Sequence, residues 1–320
     1  MLYTVRHVTR FVYEAPISES VMEVRMQPRT DASQRCIQFG LSTSPISRVM
    51  MYQDHDGNIV HHFGIPGSHS QLTLTAEALV EVGPAPLIPY NLGDDAWGRL
   101  DALTASGEFW ELVNSSPFAK RTPLLDELAK EIRLERGEDP LVLLRRLTTE
   151  IYDRFEYSPQ STRVDSPIDE ALQSRRGVCQ DFAHIMIALV REMGVPCRYV
   201  SGYLLHQERA DRSSESATHA WLEALLPDVG WVGFDPTNNR LAEDRHIRVA
   251  IGRDYADVPP TRGVFRGVSA VRSELAVAVN VGAAHAAASD ALPFIPWMSR
   301  DASGGTVDPP ASQQQQQQQQ

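Results

Sequence analysis

The pattern of apolar and polar residues divides the chain into a first part rich in predicted strands and a second part that also contains helices. Residues 2–13 alternate partly between apolar and polar side chains, and so does the first half of 71–82. Short stretches of this kind, separated by turns such as the His-Asp-Gly-Asn run at 55–58, predict β-strands. We therefore expect residues 1–85 to form a small all-β domain of sandwich or barrel type, with a sandwich-like arrangement favoured, ending at the Gly-Pro-Ala-Pro run of 83–86.

Helical spacing of the apolar residues replaces this alternation from about residue 94 onward. Pro123 predicts the start of one helix, and the Asp-Pro pair at 139–140 predicts the start of another. Further helices are predicted after the Ser-Pro-Ile-Asp run at 166–169 and over 181–193. The last of them ends where a glycine and a proline follow, as is typical of helix C-termini.

Three predicted strands follow the last helix, over residues 197–205, 217–226 and 231–235. Helices that precede a run of sequential strands favour an α+β fold in which the strands form an antiparallel sheet. We expect residues 86–140 to form a helical connector and residues 141–282 to form this α+β core.

The last part of the sequence has a different composition. Beyond about residue 281 it is rich in alanine, then in glycine, serine and proline, and it ends in eight glutamines. Such a composition supplies few side chains for a hydrophobic core. Residues 283–320 are therefore predicted to be a disordered tail.

Charge and cysteine content narrow the classes of function. Lysine and arginine number 30 against 41 acidic residues, which gives a formal net charge of −11 and disfavours nucleic acid or an anionic membrane as the main partner. No segment has the features of a signal peptide or the roughly 20 apolar residues of a membrane span. Three widely spaced cysteines suggest free thiols in a reducing, cytoplasmic location.

Cys179 is the first candidate for chemistry. The run Gly177-Val178-Cys179 lies where a glycine turn meets the start of a predicted helix. The unpaired backbone N–H groups and the positive end of the helix dipole at such a position favour a thiolate over a thiol. The same N–H groups can donate to the oxyanion that forms when a carbonyl is attacked.

His219 and Asp235 are the second candidate feature. Strand residues alternate between two faces, so His219 shares a face with Trp221, and Asp235 shares one with Trp231. A hairpin that turns at 227–230 would bring His219 and Asp235 opposite or diagonal to each other on the same face. This arrangement suits a catalytic histidine, in which one ring nitrogen takes the thiol proton and the other donates to a carboxylate.

Each candidate also has a simpler structural interpretation. A free cysteine is most often a small buried residue, and a strand histidine most often makes an ordinary core hydrogen bond. The joint presence of all three residues favours the catalytic interpretation. A histidine cluster would suggest a metal site, but no carboxylate stands at recognisable ligand spacing from it, so we expect neither metal nor cofactor; its members are His55, His61, His62 and His69.

The motifs resemble those of the transglutaminase-like superfamily. The resemblance rests on Gly-Val-Cys-Gln-Asp-Phe-Ala-His at 177–184, Thr-His-Ala-Trp at 218–221, and Gly-Trp-Val-Gly-Phe-Asp-Pro-Thr-Asn at 230–238. Within the superfamily, the chain is most similar to bacterial transglutaminase-like proteins described as putative cysteine proteases. The opening Tyr-Thr-Val-Arg-His at 3–7 also looks like the β domain that precedes the core in that group.

The resemblance implies a papain-like core, with helices packed on an antiparallel sheet, and a Cys179–His219–Asp235 triad. It suggests Gln173 as an oxyanion donor because that residue stands six positions before the cysteine, as in papain-like enzymes. Tyr157 and Trp221 are candidates for the pocket wall or for oxyanion contact. The calcium-binding loops of animal tissue transglutaminases have no evident counterpart, which argues against calcium dependence and protein crosslinking.

The sequence therefore predicts a thiol enzyme that acts on amide bonds of a protein or peptide substrate through a thioester. Water would resolve the thioester in a protease or amidase, and an amine would resolve it in a transglutaminase. Hydrolysis is slightly favoured because the calcium loops are missing. The alternative is a non-catalytic scaffold on the same fold that binds a peptide, and oligomeric state is left open.

Overall fold

The N-terminal part of the protein consists of antiparallel strands. We describe a computed structural model of the chain over residues 1–207, 211–213, 217–267 and 272–284. The first six strands are β1 (Leu2–Ile17), β2 (Glu19–Val24), β3 (Gln34–Ser44), β4 (Met50–Gln53), β5 (Ile59–Ile65) and β6 (His69–Val82). Strands β1, β2 and β6 alternate buried and less buried side chains over much of their length, as strands with one face on a core do.

Helices dominate the middle of the chain, and two of them begin where the sequence predicts. Thr122 accepts a hydrogen bond from the Leu125 N–H before the first-turn proline of one helix, and the Asp139 side chain caps the next in the same way. The elements are α1 (Ala96–Thr104), α2 (Trp110–Val113), α3 (Pro123–Glu131), α4 (Pro140–Arg154), β7 (Glu156–Tyr157), α5 (Ile168–Ser174), β8 (Arg176–Gly177) and α6 (Cys179–Glu192).

A second sheet carries the three strands predicted after the last helix. It has the order β12-β11-β10-β9-β13, and all of its pairs are antiparallel. Helix α6 packs on β9 and β10 and is flanked by α3, α4 and α5, which explains why every residue from Gln180 to Arg191 is buried. The strands are β9 (Cys197–Leu204), β10 (His219–Leu226), β11 (Gly230–Asp235), β12 (Arg240–Leu241) and β13 (His246–Gly252).

The chain returns to the N-terminal strands after the second sheet. Strand β14 (Thr261–Arg266) pairs with β2, and β15 (Ser273–Ala284) pairs with β1 over twelve residues. The N-terminal domain is thus two four-stranded sheets, β15-β1-β6-β3 and β14-β2-β5-β4. This differs from the predicted core of 141–282, since β14 and β15 pair with strands of the N-terminal region. Hydrophobic periodicity predicts that a segment is a strand but does not identify its partner.

The proportions of strand and helix refine the expected α+β fold. An all-β N-terminal region is present, and strand (41%) exceeds helix (21%) among the described residues. The predicted tail is shortened at its start, because β15 continues through Ala284, and the rest of it lies outside the described residues. Among the described residues, no helix combines the length and apolar character needed to cross a bilayer.

Gly202 lies where two strands of the second sheet approach closely, next to the candidate histidine. A Cβ at this position would come within 2.3 Å of the Ile247 carbonyl oxygen and 2.5 Å of the Trp221 ring. We expect Gly202→Ala to lower the free energy of unfolding by about 1–3 kcal/mol in urea denaturation, because backbone cannot move away cheaply. The control is Gly40→Ala, where a Cβ meets nothing within 4 Å. Equal stability of the two variants would contradict the close approach.

Candidate active site

Cys179 is held at the start of α6 by the short parallel pair that precedes it. Tyr157 of β7 pairs with Gly177 of β8, and Val178 is extended before the helix begins. Gly177 suits this turn because a Cβ there would come within 3.0 Å of Asp181 and Phe182. Cys179 is a free, half-buried cysteine. The cysteine is therefore the first helical residue, as predicted from the sequence, although the helix begins two residues earlier than expected.

Asp181 stabilises this helix start from inside the protein. Its carboxylate accepts a hydrogen bond from the Val178 N–H at 2.8 Å and one from the Thr162 hydroxyl at 2.5 Å. The side chain is almost fully buried, and this burial raises the pKa of Asp181 to about 6 despite the two donors. A carboxyl group that changes its charge near neutral pH thus lies two residues from the candidate nucleophile.

His219 and Asp235 occupy the ends of neighbouring strands. The β10–β11 register pairs Leu222 with Phe234, and continuing it by one residue places Asp235 across from Trp221 and diagonal to His219. The His219 Nε2 lies 2.7 Å from Asp235 Oδ2, with both side chains buried. The two residues therefore share a face and make contact, in the diagonal arrangement that the hairpin predicts.

The Asp235 carboxylate is fully buried and accepts five hydrogen bonds. Its Oδ1 accepts the backbone N–H groups of Thr237 and Asn238 at 3.0 and 3.2 Å. Its Oδ2 accepts from His219, from the Asn238 side-chain amide at 2.8 Å and from His246 Nε2 at 3.1 Å. Burial alone would raise the pKa of Asp235, but the charge of His219 and these donors outweigh it and hold the pKa well below its usual range.

The other ring nitrogen of His219 faces the cysteine side of the site. No described residue meets ordinary hydrogen-bond geometry with Nδ1, but Cys179 lies close enough for its side chain to bond to the ring and for its charge to raise the pKa of His219. Burial lowers the pKa of His219, but the Asp235 carboxylate and Cys179 together raise it to about 10. The ring is thus arranged to carry a proton on Nε2 toward Asp235 and to exchange a second proton on Nδ1.

Sequence reasoning missed two residues of this cluster, Asn238 and His246. Asn238 follows Asp235 by three residues in the same motif, so a turn that folds back on the carboxylate could have been considered. His246 begins β13 on the opposite edge of the sheet. Nothing in its local sequence indicates that its ring reaches Asp235, because the contact depends on how the strands are ordered.

His219, Asp235 and His246 are also the one described group whose ligand atoms converge, all lying within 4.8 Å of one another. The hydrogen bonds argue against a metal there. The Glu243 N–H donates to His246 Nδ1 at 3.2 Å, so the neutral ring carries its proton on Nε2 and has no lone pair for an ion at that atom. The histidines first considered for a metal do not converge: His61 packs on Phe39, and His69 contacts Ser20.

Tyr157, Trp221 and Gln173, the further site residues suggested by the sequence, lie in three different environments. Tyr157 lines an open cleft of about 620 Å³, next to the segment that leads to Cys179. Trp221 is fully buried behind the imidazoles of His219 and His246, so it packs against the histidines and does not line an open surface. Gln173 is exposed on the last turn of α5, and its role as an oxyanion donor stays a prediction.

The chain is similar to known proteins in both its N-terminal and its second part. Residues 126–236 match the Transglutaminase-like superfamily, and residues 3–81 match the Bacterial transglutaminase-like N-terminal region. An uncharacterized protein of Mycobacterium leprae is 32% identical over 86% of this chain and 96% of its own length. A protein-glutamine gamma-glutamyltransferase of Pseudomonas aeruginosa is 28% identical over 46% of this chain and 24% of its own length.

The fold is similar to that of a solved structure. The crystal structure of a "Putative Cysteine Protease from Cytophaga hutchinsonii" aligns with a TM-score of 0.65 and covers 89% of this chain and 92% of that one. The sequence identity is 20%, so the likeness concerns the fold.

The three cysteines should differ sharply in reactivity toward iodoacetamide. Burial raises the pKa of Cys36 and of Cys197 to about 11 each, so both thiols stay protonated near neutral pH. We expect Cys179, paired with His219, to be alkylated more than about tenfold faster than either at pH ~6, followed by peptide mass spectrometry. The control is His219→Gln, which should slow labelling of Cys179 alone. Equal labelling rates for all three cysteines would contradict a thiolate–imidazolium pair.

Asp181 should make stability depend on pH. Because its folded pKa of about 6 exceeds the usual 3.8, its contribution is most favourable below pH ~4 and is lost as pH rises through about 6. We expect Asp181→Asn to raise the melting temperature relative to wild type at pH ~7.5, with little gain at pH ~4. The gain at pH ~7.5 corresponds to at most about 2–3 kcal/mol in the free energy of unfolding. The control is the exposed Asp94→Asn. The same gain at both pH values in calorimetry would refute this assignment.

Proposed function

The chain belongs to the transglutaminase-like superfamily, and we propose that it is a thiol enzyme that acts on amide bonds through a covalent thioester. Cys179 is the nucleophile, His219 the general base and acid, and Asp235 the carboxylate that orients and charges His219. The substrate class is a protein or peptide that presents an amide carbonyl.

One observation carries this proposal. The His219 ring is tied through Nε2 to a fully buried carboxylate, while its Nδ1 is left without an ordinary hydrogen bond on the side where Cys179 acts on it. An unbonded ring nitrogen alone is not the signal, since Nδ1 of the buried His61 also lacks a hydrogen bond; the cysteine beside the ring is what distinguishes His219. A nucleophile, a base and an orienting group in this order are the parts that acyl transfer requires.

Acylation follows from these positions. The thiol proton passes from Cys179 Sγ to His219 Nδ1, and the thiolate attacks the amide carbonyl carbon. The Cys179 backbone N–H, at the start of α6, donates to the oxyanion, and Tyr157 on the cleft wall is the second donor that we favour. His219 then returns the proton to the leaving nitrogen, the C–N bond breaks, and an amine and a thioester result.

Deacylation uses the same groups in reverse. His219 takes a proton from the acceptor as the acceptor attacks the thioester carbonyl; the C–S bond then breaks, His219 returns the proton to the Cys179 sulfur, and a carboxylic acid (from water) or a new amide (from an amine) is released. We favour water as the acceptor because Cys179 is only half-buried, which leaves its side chain partly open to solvent. An amine acceptor would give a transglutaminase, the activity named for the P. aeruginosa relative.

The test compares wild type with Cys179→Ala on a library of glutamine-containing peptides with an added primary amine. Peptide cleavage without ammonia indicates a protease, ammonia without an adduct indicates an amidase, and an amine adduct indicates a transglutaminase. We expect hydrolysis by wild type and a loss of at least about 1,000-fold in rate for Cys179→Ala, because no other group replaces the nucleophile. Mass spectrometry of all three products measures the outcome.

The matched control is Cys36→Ala, which removes a thiol of raised pKa in the N-terminal domain and should leave the rate unchanged. Peptides that bind to wild type and to Cys179→Ala with equal affinity, with no product from either protein, would refute the enzyme and favour the peptide-binding scaffold.

A further inference from the structure

His246 contacts the same carboxylate oxygen as His219 but comes from a different strand on the same face of the sheet. It is the first residue of β13, it is buried, and its Nε2 lies 3.1 Å from Asp235 Oδ2. The triad proposed above does not include it. Two histidines on one buried carboxylate oxygen raise the question of which ring carries the positive charge.

The hydrogen bonds assign the two rings different roles. The Glu243 backbone N–H can only donate, so His246 Nδ1 must accept, and the single proton of the neutral ring is on Nε2 toward Asp235. Burial lowers the pKa of His246, with Asp235 acting in the opposite direction, whereas the pKa of His219 is raised to about 10. His246 is thus a neutral donor that fixes the carboxylate while leaving the positive charge to His219.

The position of His246 depends on β13, an edge strand whose free side is hydrogen-bonded by side chains of the N-terminal domain. Strand β13 pairs with β9 on one side, and its other side faces the N-terminal domain. Gln34 donates to the Arg248 carbonyl and accepts from the Arg248 N–H, both at 2.8 Å. Asn58 makes the same two bonds with Ile251, again both at 2.8 Å. The two side-chain amides take the place of a neighbouring strand.

The spacing of these contacts follows an irregularity in β13. Its register with β9 shifts between Arg248 and Ala250, so the outward-facing backbone groups are those of Arg248 and Ile251. Gln34 and Asn58 are both buried, and Arg29 holds the Asn58 oxygen at 2.5 Å. Buried backbone groups must find partners, and the two amides supply them here, with the Arg29 N–H as a further donor to the Arg248 carbonyl at 3.0 Å.

We propose that His246 is a positioning residue for Asp235, and that the N-terminal domain builds the active site by fixing β13 through Gln34 and Asn58. The inference rests on the proposed thiol chemistry. It gives the N-terminal domain a direct part in that chemistry. The domain fixes β13, β13 carries His246, and His246 positions the Asp235 carboxylate.

The first test replaces His246 by Phe, which keeps a ring against Trp221 but removes the donor to Asp235. We expect kcat to fall by roughly 10- to 100-fold with KM unchanged, because a carboxylate that has lost one of its five donors orients His219 less tightly. The alkylation limb, which is the pH range in which the rate of Cys179 alkylation falls as the pH is lowered, should also move to higher pH. This readout needs no substrate. His246→Gln, whose amide N–H can donate to Asp235, should recover part of both effects.

The second test links the domain to the histidine. Asn58→Asp keeps the acceptor for the Ile251 N–H but loses the donor to its carbonyl, and it should lower kcat and move the alkylation limb in the same direction. In the double variant Asn58→Asp/His246→Phe, the loss in log kcat should be smaller than the sum of the losses in the two single variants, because both substitutions act through β13. The control is His69→Phe, a buried histidine of the N-terminal domain that contacts Ser20 and should alter stability alone.

The outcomes separate this inference from the proposed function. An unchanged kcat and an unmoved alkylation limb in His246→Phe, alongside an inactive Cys179→Ala, would overturn the positioning role and leave the thiol enzyme intact. Full additivity of Asn58→Asp with His246→Phe would overturn the role of the N-terminal domain. An active Cys179→Ala would overturn the thiol chemistry itself.

Discussion

The buried carboxylate of Asp235 is the interaction on which the rest of the site depends. A negative charge with no exposed surface is very costly unless it is paired and hydrogen-bonded. The chain meets this requirement with five donors from three segments: the turn after β11, the first residue of β10 and the first residue of β13. Because these donors come from different strands, the ends of those strands must converge on one point.

The two halves of the protein form one structural unit around that point. Strands β14 and β15, which follow the second sheet in the chain, complete the two N-terminal sheets. A continuous hydrophobic core joins N-terminal residues such as Tyr3 and Val80 to α4 and α6. Arg248 adds a polar link, since its guanidinium contacts both Glu223 on β10 and Asp31. A domain that only recruited a partner would not require contacts of this extent.

Charges of both signs lie near the Cys179 thiol, and the burial of Asp181 changes how strongly one of them acts. The positive end of the α6 dipole and the His219 ring lie beside Cys179, whereas the carboxylate of Asp181 places a negative charge two residues along the helix. Burial raises the pKa of Asp181 to about 6, so this opposing charge weakens as the pH falls. The neutral His246 adds a donor without adding charge, which keeps the proton that matters for chemistry on His219.

The sequence by itself determined the helix starts at Pro123 and Pro140, the cysteine at a helix start, and the shared face of His219 and Asp235. These features are local, because capping residues, period-two alternation and a hairpin turn act within a few residues of one another. Tertiary structure alone decided that β14 and β15 join the N-terminal sheets, that Trp221 is buried behind the imidazoles, and that His246 reaches Asp235. Those outcomes depend on which strands become neighbours, and residues far apart in the chain set that order through packing and through side-chain amides such as Gln34 and Asn58.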